Sequence, residues 1–325
     1  MRMTRIPTAL AATSLAAVAL TAAAPGAQAA RPAPEPVLPT QTLPLAGADD
    51  GAKLEGIGVD QRRGTYYVSE TTGGEIHRGT LRGGSSEWLG GNGTDGRWTA
   101  RGVTTDRAGN VYVAGGPNGI DHPGAPDVWV YSPEGELLTA LRMPGSDTFV
   151  NDVTIGPDGA AYFTDSNDPR IFRVAQGENG WGAEVFADGS GVVQRQAGFN
   201  LGGIVTSTDR SALVVAQGNA GLLWRVDLGT GEFTPVEGGT GLKDADGLVR
   251  NGTELTVIRN FERRVTSLRL SPDGSAATLL SDRATDPTRV LTTAKVLNGQ
   301  LLAVDSRFDE PTPVGDPEVV VLPRR

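Results

Sequence analysis

The 325-residue chain contains no cysteine, which excludes disulfides, thiolate metal sites and a cysteine nucleophile together. Its two histidines, His77 and His122, lie far apart in sequence and give an imidazole zinc site little to draw on. A Ser–His–Asp triad lacks its Gly-x-Ser-x-Gly elbow, and no Gly-x-Gly-x-x-Gly or P-loop pattern opens a helix after a strand. A basic surplus is also missing: 38 Asp and Glu stand against 29 Lys and Arg, a formal charge of −9. Loss of Arg2 and Arg5 with an N-terminal signal would take −9 to −11. Nucleic acid and anionic membrane are therefore disfavoured as partners, since both need a basic footprint.

A long apolar run occurs at the N-terminus. Arg2 and Arg5 precede an Ala/Leu/Val-rich stretch from Ala9 to Ala24, and Ala27-Gln28-Ala29 supplies a small-residue cleavage pattern. Residues 1–30 read as a secretory signal peptide, so the protein is expected to be exported. The run is short and Ala-dominated, and no stop-transfer charges follow, which argues against a membrane anchor. Arg31-Pro32-Ala33-Pro34-Glu35-Pro36 reads as an extended linker. The remainder, 37–325, is long enough for one large β domain whose core must carry stability without cross-links.

The body holds 45 Gly and 21 Pro, less any in the first 36 residues, and few long helix-period stretches, which predicts strands and many turns. Six related segments begin at Glu55, Arg101, Asn151, Gly202, Asp246 and Thr288, spaced 46, 50, 51, 44 and 42 residues apart. Asn151–Ser166, "NDVTIGPDGAAYFTDS", typifies them: an apolar strand, a Gly/Pro/Asp turn and a second apolar strand. Two further strands follow in each unit, for example Val128–Tyr131 and Leu137–Leu141. Four short strands per period of this size predict an all-β, six-bladed β-propeller. The segment Pro36–Leu45 has strand character and is expected to close the ring by pairing with the last blade, over Leu301–Asp305 and Val319–Leu322.

In a propeller the residue before each innermost strand lies near the axis on one face. That column reads Glu55, Arg101, Asn151, Gly202, Asp246 and Thr288. Carboxylate and amide oxygens converging without thiols suit a hard cation, calcium first and magnesium or manganese second. Each residue also has a local reading: Glu55, Asn151, Asp152 and Asp246 all suit turns that cap the backbone. Asp106, Asp158 and Asp273 read as turn residues, and His77 as a surface position on an alternating strand. Trp88, Trp98, Trp129, Trp181 and Trp224 read as packing between blades.

"EGIGVD", "NDVTIGPDGAAYFTDS", "GFNLGGIVTSTDRSALVV" and "DADGLVRNGTELTV" resemble blade starts of the senescence marker protein/gluconolactonase/luciferin-regenerating enzyme family, a likeness covering roughly Leu54 to Phe308. The resemblance implies a lactonase or related hydrolase with a divalent cation at the tunnel mouth, held by Glu55, Asn151 and Asp246 and by an Asn of the fourth unit. Gly202 stands where that Asn belongs, which leaves Asn200, two residues earlier, as its expected replacement. Asp246 is the expected general base, with Arg101, Asp152 and His122 as substrate contacts. The substrate would be a small lactone or ester, handled by a monomer. The long loops Gly115–Asp127 and Arg307–Pro317 are expected to cover the site. A non-catalytic propeller that binds a carbohydrate, peptide or cell-wall ligand on the same face is the alternative.

Overall fold

Turn chemistry sets the strand ends. The amide N–H groups of Ala108, Gly109 and Asn110 all donate to Asp106 Oδ1, at 2.8, 2.9 and 2.9 Å. Gly109, at φ +92°, takes the left-handed position that this turn requires. Asp158 and Asp273 accept from the backbone of their own turns in the same way.

The computed structural model describes residues 37–38, 41–48, 51–116 and 121–323. The expected signal and linker, 1–36, lie outside the described residues, as do positions 117–120 of one expected covering loop. All described residues fall in the second of the chain's two units. An N-terminal strand β1 (Gln41–Pro44) precedes blade 1, which is β2 (Leu54–Asp60), β3 (Thr65–Glu70), β4 (Ile76–Thr80) and β5 (Gly84–Leu89). Blade 2 is β6 (Val103–Thr105), β7 (Val111–Ala114), β8 (Val128–Tyr131) and β9 (Leu137–Leu141). Blade 3 is β10 (Val150–Ile155), β11 (Ala161–Asp165), β12 (Arg170–Gly177) and β13 (Gly180–Asp188). Blade 4 is β14 (Leu201–Thr206), β15 (Ala212–Gln217), β16 (Leu222–Asp227) and β17 (Phe233–Pro235). Blade 5 is β18 (Ala245–Asn251), β19 (Glu254–Arg259), β20 (Arg264–Leu270) and β21 (Ala277–Ala284). Blade 6 is β22 (Leu291–Leu297), β23 (Gln300–Asp305) and β24 (Glu318–Leu322), completed by β1 in the order β1-β24-β23-β22.

These six antiparallel sheets form the six-bladed propeller expected from the repeat. Closure by the last blade follows expectation over Val319–Leu322, but the expected pairing with Leu301–Asp305 does not form, because β24 lies between. β1 pairs with β24 from Gln41↔Val321 to Pro44↔Glu318, and β23 lies one strand further in. Among the described residues no helix is long and apolar enough to cross a membrane.

Packing is distributed around the ring. Six apolar clusters each join one blade to the next, as where Val214 and Leu223 of blade 4 meet Leu248 and Val257 of blade 5. The second strands, β3, β11 and β15, are buried along their whole length, whereas the outer β13 alternates with solvent. Trp88 packs on Tyr67, Trp181 on Tyr112, and Trp129 and Trp224 are buried in the seams. Trp98 is the exception, 39% exposed on the connection into blade 2. His77 also departs from expectation. It is fully buried, with Nε2 against Glu70 Oε1, because the Glu70 carboxylate faces it across the β3–β4 ladder.

The feature that places the site is a bulge at the head of five innermost strands. Glu55 and Gly56 together oppose Ser69, because the register jumps between Leu54↔Glu70 and Ile57↔Val68. Asn151-Asp152, Gly202-Gly203, Asp246-Gly247 and Thr292-Thr293 form the same two-against-one arrangement. The sixth member of the axial column is therefore Thr292. Thr288, expected there, is exposed and turns back onto Asp286 Oδ1 at 2.7 Å.

The first residue of a bulge is re-aimed toward the axis, and the second is pressed against the next blade. A Cβ on Gly56 would fall 1.9 Å from Arg101 O, and one on Gly203 2.3 Å from Asp246 O. Hydroxyls bind these seams where the opposing residue supplies one. Ser69 Oγ accepts from Gly56 N at 2.9 Å and donates to Arg101 O, and Thr164 Oγ1 donates to Gly202 O at 2.9 Å.

The adjacent glycines of blade 4 should respond oppositely to a methyl group. A Cβ on Gly202 would meet only ordinary contacts, 3.4 Å from Asp246 O and 3.7 Å from Asp246 Oδ1. Gly203→Ala is expected to lose roughly 1–3 kcal/mol in urea unfolding through overpacking, and Gly202→Ala to stay within about 0.5 kcal/mol of the parent. Equal losses at both positions would contradict the bulge geometry.

Candidate functional site

The bulges of blades 1, 3 and 5 deliver Glu55, Asn151 and Asp246, and the segment leading into β6 delivers Arg101, to one cavity of about 390 Å³ at the mouth of the axis. Its upper wall comes from connections between strands, including Phe149, Phe199, Asn219, Lys243, Phe261 and Phe308. Beneath it a narrow void is lined by Glu55, Asn151, Asp152, Asp246, Thr292 and Thr293. Glu55, Asn151 and Asp246 border both spaces and thus form the floor between them.

Each floor residue is held by one of its polar atoms. Glu55 Oε2 accepts from Arg101 Nη1 at 2.7 Å. Asn151 Nδ2 donates to Ser166 Oγ at 2.8 Å, and Asp246 Oδ2 accepts from Asn260 Nδ2 at 2.8 Å. The other oxygens, Glu55 Oε1, Asn151 Oδ1 and Asp246 Oδ1, accept no hydrogen bond among the described residues. The three oxygens come from three blades and border one cavity, where they are open to a ligand.

Electrostatics agree with the geometry. Burial pushes the Asp246 carboxyl well above its ordinary value, and the negative charge of Glu55 pushes it further, against the hydrogen bond from Asn260. Burial likewise raises Glu55, while the charge and hydrogen bond of Arg101 pull it down. A cation at this floor would relieve the repulsion between the two carboxylates.

Two carboxylates and an amide oxygen form a hard donor set that fits calcium, magnesium or manganese. Among the described residues no group of three or more His, Cys, Asp or Glu is gathered closely enough to hold a metal by itself. The amide of Asn151 is accordingly essential to any such site.

The remaining expected site residues are placed elsewhere or are already engaged. Asn200 is buried, and its Oδ1 accepts from Gln196 N, Gln217 Nε2 and Asn219 Nδ2 at 2.8, 3.3 and 3.2 Å. It anchors the loop before blade 4, and its oxygen has no lone-pair capacity left for an ion. Asp152 lies below the cavity, where Oδ2 accepts from Ile204 N of the next blade at 3.2 Å. Arg101 is pinned between Glu55, the Gly116 carbonyl at 2.7 Å and the ring of Phe149, 4.1 Å from its Cζ. His122 stacks on Trp98, with ring centroids 4.0 Å apart, and is not part of the cavity wall.

Four cavity residues escaped the sequence reading: Phe149, Phe199, Phe261 and Phe308. Two carried a signal, because Phe149 and Phe199 fall two and three residues before column positions Asn151 and Gly202. Of the expected covering loops, Arg307–Pro317 does contribute, through Phe308. The segment that carries Phe199, between β13 and β14, contributes more and was not foreseen.

No protein-family model and no curated protein sequence matches the chain. Solved structures do. A calcium-binding regucalcin from Agrobacterium tumefaciens superposes with a TM-score of 0.59 at 18% identity, over 87% of this chain and 96% of its own. A gluconolactonase from Xanthomonas campestris does so with a TM-score of 0.60 at 15% identity, over 90% and 99%. A virginiamycin B lyase from Staphylococcus aureus, crystallised as an inactive His-to-Ala variant with quinupristin, gives 0.60 at 14% over 89% and 100%. At these identities the likeness establishes the fold: the chain is a six-bladed propeller of the architecture that regucalcin and gluconolactonase share.

Proposed function

We propose that the protein is an exported, divalent-cation-dependent hydrolase that opens a lactone or ester at the mouth of its axial tunnel. The observation that carries this reading is the trio of unpartnered oxygens, Glu55 Oε1, Asn151 Oδ1 and Asp246 Oδ1, on the floor of a cavity sized for a small molecule. Export rests on the N-terminal sequence alone. The calcium-binding regucalcin and the gluconolactonase, which share the fold, support the choice of cation and of reaction class.

Glu55, Asn151 and Asp246 would hold the ion, which supplies Lewis-acid polarisation of a carbonyl when bound. Arg101 opposes the effect of burial on Glu55 and holds its carboxylate through the 2.7 Å ion pair. Asp246 is the general base as well as a residue that would hold the ion: Asn260 fixes Oδ2, which leaves Oδ1 open to both the ion and a water. A lyase reaction dependent on histidine lacks its residue here, since neither His77 nor His122 borders the cavity.

One observation favours a second reading, a ligand-binding propeller without chemistry. Arg101 already supplies Glu55 with a cation, so the floor is partly neutralised from within. A panel of lactones and aryl esters separates the two: turnover that disappears in Asp246→Ala supports the hydrolase, and a flat panel with intact calcium binding supports the binder.

Calcium should raise the melting temperature. When free ion exceeds Kd a hundredfold the expected stabilisation is about 2.7 kcal/mol, read as a shift of several degrees that chelator reverses. Asn151→Ala and Asp246→Ala should each abolish the shift. Gly202→Asn, which has room for a side chain beside Asp246 Oδ1, should tighten calcium on the order of tenfold by adding one ligand.

Without calcium the pH dependence has a definite sign. The folded-state value of Asp246 lies above its ordinary 3.8, so the native protein binds this proton more tightly than the unfolded chain. Its contribution to stability is therefore lost as pH rises from about 3.8 through the raised value. Asp246→Asn should flatten that decline in melts taken across the range with chelator present.

A further inference from the structure

Half of the chain's eight phenylalanines border this one cavity. Two of them, Phe199 and Phe261, are 61% and 50% exposed, and no Tyr or Trp joins them in the wall. Exposed aromatic rings gathered around a concave site mark a surface meant to be covered.

The rings come from four blades. Phe149 lies under Arg101 and contacts Phe199, with centroids 4.9 Å apart at 46°, so the wall runs unbroken from floor to rim on the side of blades 3 and 4. Phe261 and Phe308 face the cavity from blades 5 and 6.

The backbone that carries each exposed ring is tied to the polar network of the floor or of its flanking loop. Phe261 N donates to Asn260 Oδ1 at 2.7 Å, and the same Asn260 holds Asp246 Oδ2. Phe199 sits beside Asn200, whose side chain binds Gln196 and Gly198 of its own loop and Gln217 and Asn219 of blade 4. The connections that present the apolar wall are thus joined to residues that border the three-oxygen floor.

We infer that the ligand of this site has an apolar body, an alkyl chain or an aryl group, seated between Phe199, Phe261 and Phe308, with a single carbonyl head directed at the floor. The inference rests on the lactone or ester reading for the head alone. A polyhydroxylated ring fits poorly, because Asn219 and Lys243 are too few to pair its hydroxyls and those facing Phe199, Phe261 and Phe308 would forfeit their hydrogen bonds to water.

Binding of hydrolysis-resistant γ-lactams tests this apart from turnover. With calcium present, calorimetry on the purified protein would compare 5-methyl-, 5-butyl- and 5-octyl-pyrrolidin-2-one with the lactam of gluconic acid. Affinity is expected to rise roughly fourfold per methylene until the chain outgrows the cavity, while the gluconic lactam gives no measurable heat. Phe199→Ala and Phe261→Ala should each weaken the octyl lactam by about tenfold or more. Leu at either position should restore most of the loss. Melting curves of the variants should overlay the parent, since both rings are exposed.

Affinity independent of chain length, equal binding of the gluconic lactam, or binding of neither class would overturn the inference. If the octyl lactam binds as expected but the matching lactone is never opened, the apolar-ligand inference stands and the hydrolase reading falls.

Discussion

The bulge at the head of the innermost strands is the constraint on which the rest depends. A regular strand would alternate its side chains between the two neighbouring blades and offer the axis nothing. Inserting one residue turns the next side chain inward and presses its successor against the following blade. Glu55, Asn151 and Asp246 reach the axis for this reason, and Gly56, Gly203 and Gly247 follow or parallel them because a Cβ there would strike the adjoining backbone within 2.5 Å. The same device thus supplies the polar floor and the tight seams beneath it.

Polar groups in that floor are costly to bury and are arranged to offset the cost. Arg101 answers Glu55, Ser166 answers Asn151 and Asn260 answers Asp246, each through one atom. Each side chain keeps a second oxygen without an internal partner. The raised proton affinities of Glu55 and Asp246 are the electrostatic trace of the same incompleteness.

Much of this was legible in the sequence, because turn chemistry and strand alternation are local properties. Val128–Tyr131 and Leu137–Leu141 were bounded correctly, and the closing strand was paired with the correct blade. The sixth repeat was misframed: Val290-Leu291 resembles an innermost strand, so Thr288 took the place that the bulge gives to Thr292. Asn200 illustrates a harder problem. Its neighbours Gln196, Gln217 and Asn219 arrive from a loop and from the far end of β15, and no local pattern reveals that they consume its oxygen. The phenylalanine wall was hidden for a similar reason, since its four members are scattered over four connections whose courses depend on tertiary packing.

Closure by β1 ties the chain's beginning to its end, with Gln41 opposite Val321. This is the longest-range pairing a chain of this kind can make, and such contacts form slowly. A nascent chain therefore cannot lock its ring until the last blade has emerged, and β1, Gln41–Pro44, has no strand partner until then.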